Sequence, residues 1–185
     1  MCEGLPVASD VHTIIFDFDG VFTDNKVWIG QDGRECVRCD RADGLAMDLL
    51  RSARRIGLVE ADVFILSTET NLVVRERAAK LRLTCYQGVS DKLAFVNERL
   101  ATRFPDSADP YAGVVFLGND LNDLPLLRSA GWAVVPADAH PLVQVIADVV
   151  LPEHGGESFV RRFVERMLNV DQMSEGEIYE LVSGS

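Results

Sequence analysis

Short apolar runs alternate with amphipathic stretches along this chain. Residues 12–17 (HTIIFD), 62–66 (DVFIL) and 113–118 (GVVFLG) are nearly continuous apolar segments bounded by polar turns, the pattern of strands buried on both faces. From Gly44 to Arg55, Leu45, Met47, Leu49 and Leu50 recur among polar residues and predict an amphipathic helix. Helices are also predicted over 71–82 with Asn71 as N-cap, over 91–103, and as shorter pieces over 123–129 and 140–146. Strands are predicted at 84–86, 132–135 and 148–151, and a last helix at 156–168. Residues 26–30 and 34–39 flank Gln31-Asp32-Gly33, where Asp-Gly favours a hairpin. Residues 169–185 are polar and acidic and read as a flexible tail.

Apolar strands separated by helices imply a parallel sheet covered on both faces, a three-layer, Rossmann-like α/β fold. The chain has 185 residues, no internal repeat and no linker-like tract, so 1–185 reads as a single domain from which the 26–39 hairpin projects as a small flap.

Charge then removes some functions. With 18 basic and 29 acidic residues the net charge is −11, which argues against binding a nucleic-acid backbone, because that needs clustered Lys and Arg. A small anionic substrate is compatible only where positive charge or a metal is concentrated locally. No apolar run approaches the roughly 20 residues that span a bilayer, so no membrane partner is expected. The opening MCEGLPVASD carries an acid and no apolar stretch, so it is not read as a signal peptide and the expected location is the cytoplasm. Cys36 and Cys39 have C-x-x-C spacing without the second ligand pair that structural zinc needs. With Cys2 and Cys85 they read as reduced thiols.

The informative feature is where polar clusters fall. One buried strand ends in Asp17-Phe18-Asp19-Gly20, the next in Ser67-Thr68-Glu69, the third in Gly118-Asn119-Asp120-Leu121-Asn122-Asp123. Carboxyl ends of parallel strands converge on one crevice. Lys92, at the start of a predicted helix, can add a cation. Several carboxylates in one crevice repel one another, and a hard divalent cation with oxygen ligands removes the conflict. A metal, a hydroxyl and a lysine together neutralise a phosphoryl group in transfer. Singly, each residue has an ordinary reading as a strand-end cap, a helix cap, a turn residue or a solvated lysine; their order along the strand ends is what points to a site.

These residues resemble the haloacid dehalogenase superfamily. Its first motif, D-x-D-x-[TV], is matched by Asp17-Phe18-Asp19-Gly20-Val21; its second by Ser67; its third by Lys92; and its fourth, G-D-x-x-N-D, by Gly118 to Asp123. The segments DFDGVFTD, RADGL, STETN, QGVSDK and GNDLND are similar to a narrower group without a cap domain. That group holds 3-deoxy-D-manno-octulosonate 8-phosphate phosphatases, nonulosonate 9-phosphate phosphatases and the C-terminal domains of acylneuraminate cytidylyltransferases. The resemblance implies a magnesium-dependent phosphatase of a small sugar-acid phosphate, assembled as a homotetramer. It implies Asp17 as nucleophile and metal ligand, Asp19 as general acid and base with its carbonyl on the metal, and Ser67 and Lys92 on the phosphoryl group. Thr68, Glu69 and Asn122 fall to the substrate side, and Asn119, Asp120 and Asp123 to the metal shell. Glu69 matches the nonulosonate branch, which suggests a nine-carbon, sialic-acid-like substrate.

One departure stands out: the first acid of the fourth motif is Asn119, an amide that can coordinate magnesium but brings no charge. This keeps a second expectation open, a weakly active or non-catalytic assembly module associated with a cytidylyltransferase. A receiver-like phosphorylation switch also combines acids with a lysine, but it does not need a base two residues after the phosphorylated aspartate, and Asp19 stands there.

Overall fold

The computed structural model describes residues 4–183. The central sheet is built from β1 (Thr13–Phe16), β4 (Asp62–Leu66), β5 (Thr84–Tyr86), β6 (Val114–Leu117), β7 (Trp132–Val135) and β8 (Val149–Val150), all parallel, in the order β5-β4-β1-β6-β7-β8. An antiparallel hairpin of β2 (Thr23–Ile29) and β3 (Glu35–Cys39) follows β1, turning at Asp32-Gly33 with Gly33 at φ +77°. The helices are α1 (Ala42–Arg55), α2 (Leu72–Leu81), α3 (Lys92–Arg103), α4 (Leu124–Ser129), α5 (Pro141–Ile146), α6 (Phe159–Met167) and α7 (Glu175–Ser183).

Side-chain alternation along the buried strands builds the two cores. Ile14, Phe16, Val115 and Leu117 face α1, α2 and α6, where they meet Met47, Val74 and Phe163. Ile15, Val114 and Phe116 face α3, α4 and α5 and meet Val96, Leu126 and Val143. The three-layer reading holds, and no cap domain interrupts the chain: β1 and α1 are joined through the hairpin alone. Among the described residues no helix is long and apolar enough to cross a membrane. Because β1 has β4 on one side and β6 on the other, the chain reverses its direction of winding there and opens a crevice at the carboxyl ends of these three strands.

The structure corrects one expectation. Residues 170–172 form a 3-10 turn and 175–183 form α7, whose Leu181 is buried against the α1–α6 layer, so the segment read as a tail is structured as far as it is described, to residue 183. Ile178, Leu181 and Val182 have helical spacing, but their acidic surroundings mask it in the sequence. The hairpin behaves differently. Val27, Trp28 and Ile29 are exposed, Trp28 by 75%, and Trp28 does not fold back on its own domain.

A buried acid sits where the hairpin joins the body. Asp43, in the first turn of α1, is 1% exposed and neither carboxylate oxygen has a hydrogen-bond partner. Neighbouring Asp40 accepts from the Ser158 hydroxyl at 2.7 Å and its carbonyl accepts from Arg77 at 2.5 Å. Burial, reinforced by the charge of Asp40 and opposed by Arg77, pushes the Asp43 carboxyl up to about 7. A folded pKa above the unfolded one gives a contribution fully present below about 4 and lost as pH rises through about 7. Asp43→Asn is therefore expected to lower the loss of stability between pH 5 and pH 8, relative to the parent, by on the order of 2–4 kcal/mol. Urea midpoints at both pH values check this; parallel pH dependence in the two proteins would contradict it.

Candidate active site

The site is assembled by backbone hydrogen bonds that splice the strand ends together. Asp17 follows β1 directly, and its N–H donates to the Leu117 carbonyl of β6 at 2.8 Å; the Ser67 N–H donates to the Tyr86 carbonyl of β5 at 2.9 Å. Asp17 is 5% exposed, Ser67 1% and Lys92 3%. Lys92 is the first residue of α3, whose N-cap Asp91 accepts from the Ala94 N–H. Its ammonium lies 2.7 Å from Asp17 Oδ1 and 2.7 Å from Asp123 Oδ1, above the ring of Phe116 at 5.8 Å.

Asp123 holds the fourth-motif turn. Its Oδ2 accepts from the N–H groups of Asn119 at 2.9 Å and Asp120 at 3.3 Å, while Oδ1 accepts from Lys92. A side chain at Gly118 would place its Cβ 2.7 Å from Asp123 Oδ2, so glycine is needed for the carboxylate to turn beneath the strand end. Gly20, at φ +73°, likewise lets the Asn119 amide pack on its Cα; a Cβ there would come within 1.8 Å of Nδ2. The resemblance assigns Asp123 to the metal shell. In the structure it is completely buried, with one oxygen on the Lys92 ammonium and the other on the N–H groups of Asn119 and Asp120.

A crevice of about 150 Å³ opens above these groups. It is lined by Asp17, Asp19, Asn25, Thr68, Asn119, Asp120 and Asn122. Six of these are among the residues singled out from the sequence. Asn25 was not: it reaches the crevice because the chain turns through φ +57° after Thr23, a conformation Asn tolerates better than most residues. An asparagine shortly after the first motif, near the start of the hairpin's first strand, is the signal that could have found it. Ser67, next to the lining residue Thr68, is buried and does not itself line the crevice; its hydroxyl accepts from the Glu69 N–H at 3.0 Å. Glu69 stands on the rim rather than in the crevice; its Oε1 accepts from the N–H groups of Thr70 at 2.7 Å and Asn71 at 2.9 Å.

Electrostatics explain what the crevice lacks. Burial, then the charge of Asp123, pushes Asp17 up to about 7 despite the pull of Lys92. Burial, then the charge of Glu69, raises Asp19. Burial would pull Lys92 down, but Asp17 and Asp123 together outweigh it and hold the lysine charged. One lysine thus faces Asp17, Asp19 and Asp123. Among the described residues no three His, Cys, Asp or Glu side chains stand together as a ligand set on their own. The crevice does offer oxygen donors throughout, from carboxylates and amides. That set fits magnesium, which takes oxygen ligands, needs only one or two carboxylates and completes its shell with water and substrate phosphate.

No family model matches the chain. It is 33% identical over 183 residues to 3-deoxy-D-manno-octulosonate 8-phosphate phosphatase of Yersinia pestis, covering 95% of this chain and 92% of that protein. The chain belongs to the haloacid dehalogenase superfamily and resembles its octulosonate 8-phosphate phosphatases. The corresponding phosphatase of Escherichia coli K12 is 32% identical over 165 residues, 87% of this chain and 81% of that protein. Among solved structures, a HAD-family hydrolase from Streptomyces avermitilis superposes with a TM-score of 0.80 at 33% identity, covering 95% of this chain and 97% of that one. As a superfamily member of this kind the chain is a phosphatase, a hydrolase of phosphoric monoesters.

Proposed function

We propose that this phosphatase is magnesium-dependent, that its substrate is a sugar-acid phosphate, and that the reaction runs through a phosphoryl group on Asp17. The observation that carries the reading is the buried Asp17–Lys92–Asp123 chain opening into a crevice that also holds Asp19. Asp17 attacks phosphorus and displaces the sugar oxygen, which takes a proton from Asp19. Water then loses a proton to the Asp19 carboxylate and attacks phosphorus, releasing inorganic phosphate and restoring Asp17. The raised pKa of Asp19 supports its acid role in the first half. Lys92 and Ser67 hold the phosphoryl oxygens, and Thr68 and Asn122 meet the sugar side. A magnesium ion, when bound, would be held by Asp17, Asp19, Asn119 and Asp120 and would supply positive charge against the phosphoryl oxygens.

The octulosonate relatives support an eight-carbon sugar acid, whereas the match of Glu69 to the nonulosonate branch supports a nine-carbon one. Phosphate release from a panel of octulosonate, nonulosonate and neutral sugar phosphates, with and without magnesium, tests the reading. Sugar-acid phosphates should be preferred, and activity should need the metal. Preference for neutral sugar phosphates, or no release from any of them, would overturn it; the latter would favour the assembly-module reading that Asn119 suggests.

Asn119 bears on the metal directly. Asn119→Asp is expected to tighten the magnesium dependence about threefold to tenfold, because it places an anionic oxygen beside a divalent cation. Magnesium titrations of activity in both proteins check this; equal or weaker affinity in the Asp variant would remove residue 119 from the metal shell. The exposed Val27-Trp28-Ile29 run supports a homotetramer packed through the hairpin. A monomer by light scattering would remove the assembly from the proposal.

A further inference from the structure

The end of the sheet opposite the active-site crevice carries a second cavity of about 180 Å³. It lies between α1 and the first residues of β4 and β5, whereas Ser67 follows the last residue of β4. Leu50, Val63 and Leu83 contribute apolar surface, and three arginines, Arg51, Arg54 and Arg82, share the lining. In a chain of net charge −11 this local excess of cations is unusual. The one acid in the lining, Asp62, is already neutralised from outside it, by Arg99 at 2.5 Å and Arg103 at 3.3 Å.

The three arginines are not equivalent. Arg51 is fixed, donating to the Leu81 carbonyl at 2.9 Å and pairing with Asp48. Arg54 and Arg82 are exposed and make no ion pair or side-chain hydrogen bond among the described residues. Arg82 also occupies the left-handed position that ends α2, at φ +55°, where glycine or asparagine would be unstrained. An arginine kept there brings its side chain to the cavity.

We propose that this cavity binds a small organic anion, a carboxylate, sulfonate or phosphate on an aromatic or aliphatic body, at a site separate from the phosphatase centre. The anionic group meets Arg54 and Arg82, whose planar guanidinium groups suit oxyanions. The body lies on the apolar floor formed by Leu50, Val63 and Leu83. This combination of an apolar surface with a few convergent polar groups is what small-molecule sites use.

The test uses 8-anilinonaphthalene-1-sulfonate, an aromatic body with one sulfonate, titrated by fluorescence into the full chain. Saturable binding is expected. Arg54→Glu combined with Arg82→Glu should weaken it by about tenfold or more, as two charge-assisted contacts are replaced by repulsion. Thr84→Trp, which fills the cavity mouth and leaves the arginines in place, should weaken it comparably. Phosphatase activity should be unchanged in both variants, which shows that they are folded. Absence of saturable binding, or affinity unchanged in either variant, would overturn the proposal; a loss confined to the charge variant would mean surface attraction without a cavity.

Discussion

Replacing Asp17 by Asn is expected to remove turnover while leaving the fold intact. The amide is a poor nucleophile and a weaker metal ligand, so kcat should fall by at least about a thousandfold, equivalent to about 4 kcal/mol of barrier. Stability should not fall with it. Asp17 is buried, and burial together with Asp123 disfavours its ionised form, whereas an amide oxygen still accepts from Lys92 without a charge to desolvate. The variant should therefore unfold at a urea concentration equal to or above the parent's. Activity within about tenfold of the parent would contradict the role of Asp17, since that spans only about 1.4 kcal/mol.

Lys92→Met should have the opposite signature, with activity and stability lost together. Lys92 is the one cation between two buried carboxylates, both at 2.7 Å. Methionine matches its length and removes its charge, leaving Asp17 and Asp123 to face each other without compensation. Removing one partner of a buried ion pair typically costs about 3–5 kcal/mol, and here two pairs share the lysine. Asp123 would also loosen from the 118–123 turn, disturbing Asn119 and Asp120. Denaturation midpoints and phosphate release check both arms. A variant as stable as the parent would show that the ammonium is dispensable to the buried network.

The contrast between these two variants follows from how the site is built, and much of that was legible in the sequence. Asp17, Asp19, Thr68, Asn119, Asp120 and Asn122 share the crevice because each lies just beyond a continuous apolar run, and such runs become adjacent parallel strands. The hairpin was legible from Asp32-Gly33, and α2 from Asn71, whose side chain caps it by accepting from the Val73 N–H. What escaped reading depends on side-chain direction. Asp123 turns inward because Gly118 leaves room for it, a relation between two residues that spacing does not disclose. Glu69 turns onto the N–H groups of Thr70 and Asn71, just before α2, and so stands outside the crevice lining. Asp43 lies in the first turn of a helix whose apolar stripe is legible, yet its own burial comes with the packing of α6 on α1, which spacing does not disclose. The C-terminal helix is anchored by the single buried residue Leu181, too little apolar surface to announce itself.

The central claim is that the phosphoryl group passes through Asp17. Mixing the enzyme with a sugar-acid phosphate and magnesium, quenching in acid within one turnover and mapping the digest by mass spectrometry tests this directly. The account predicts a phosphoryl adduct on the peptide containing Asp17, present in the parent and missing in the Asp17→Asn variant. Phosphate release without any adduct on that peptide, or an adduct that survives the substitution, would contradict it.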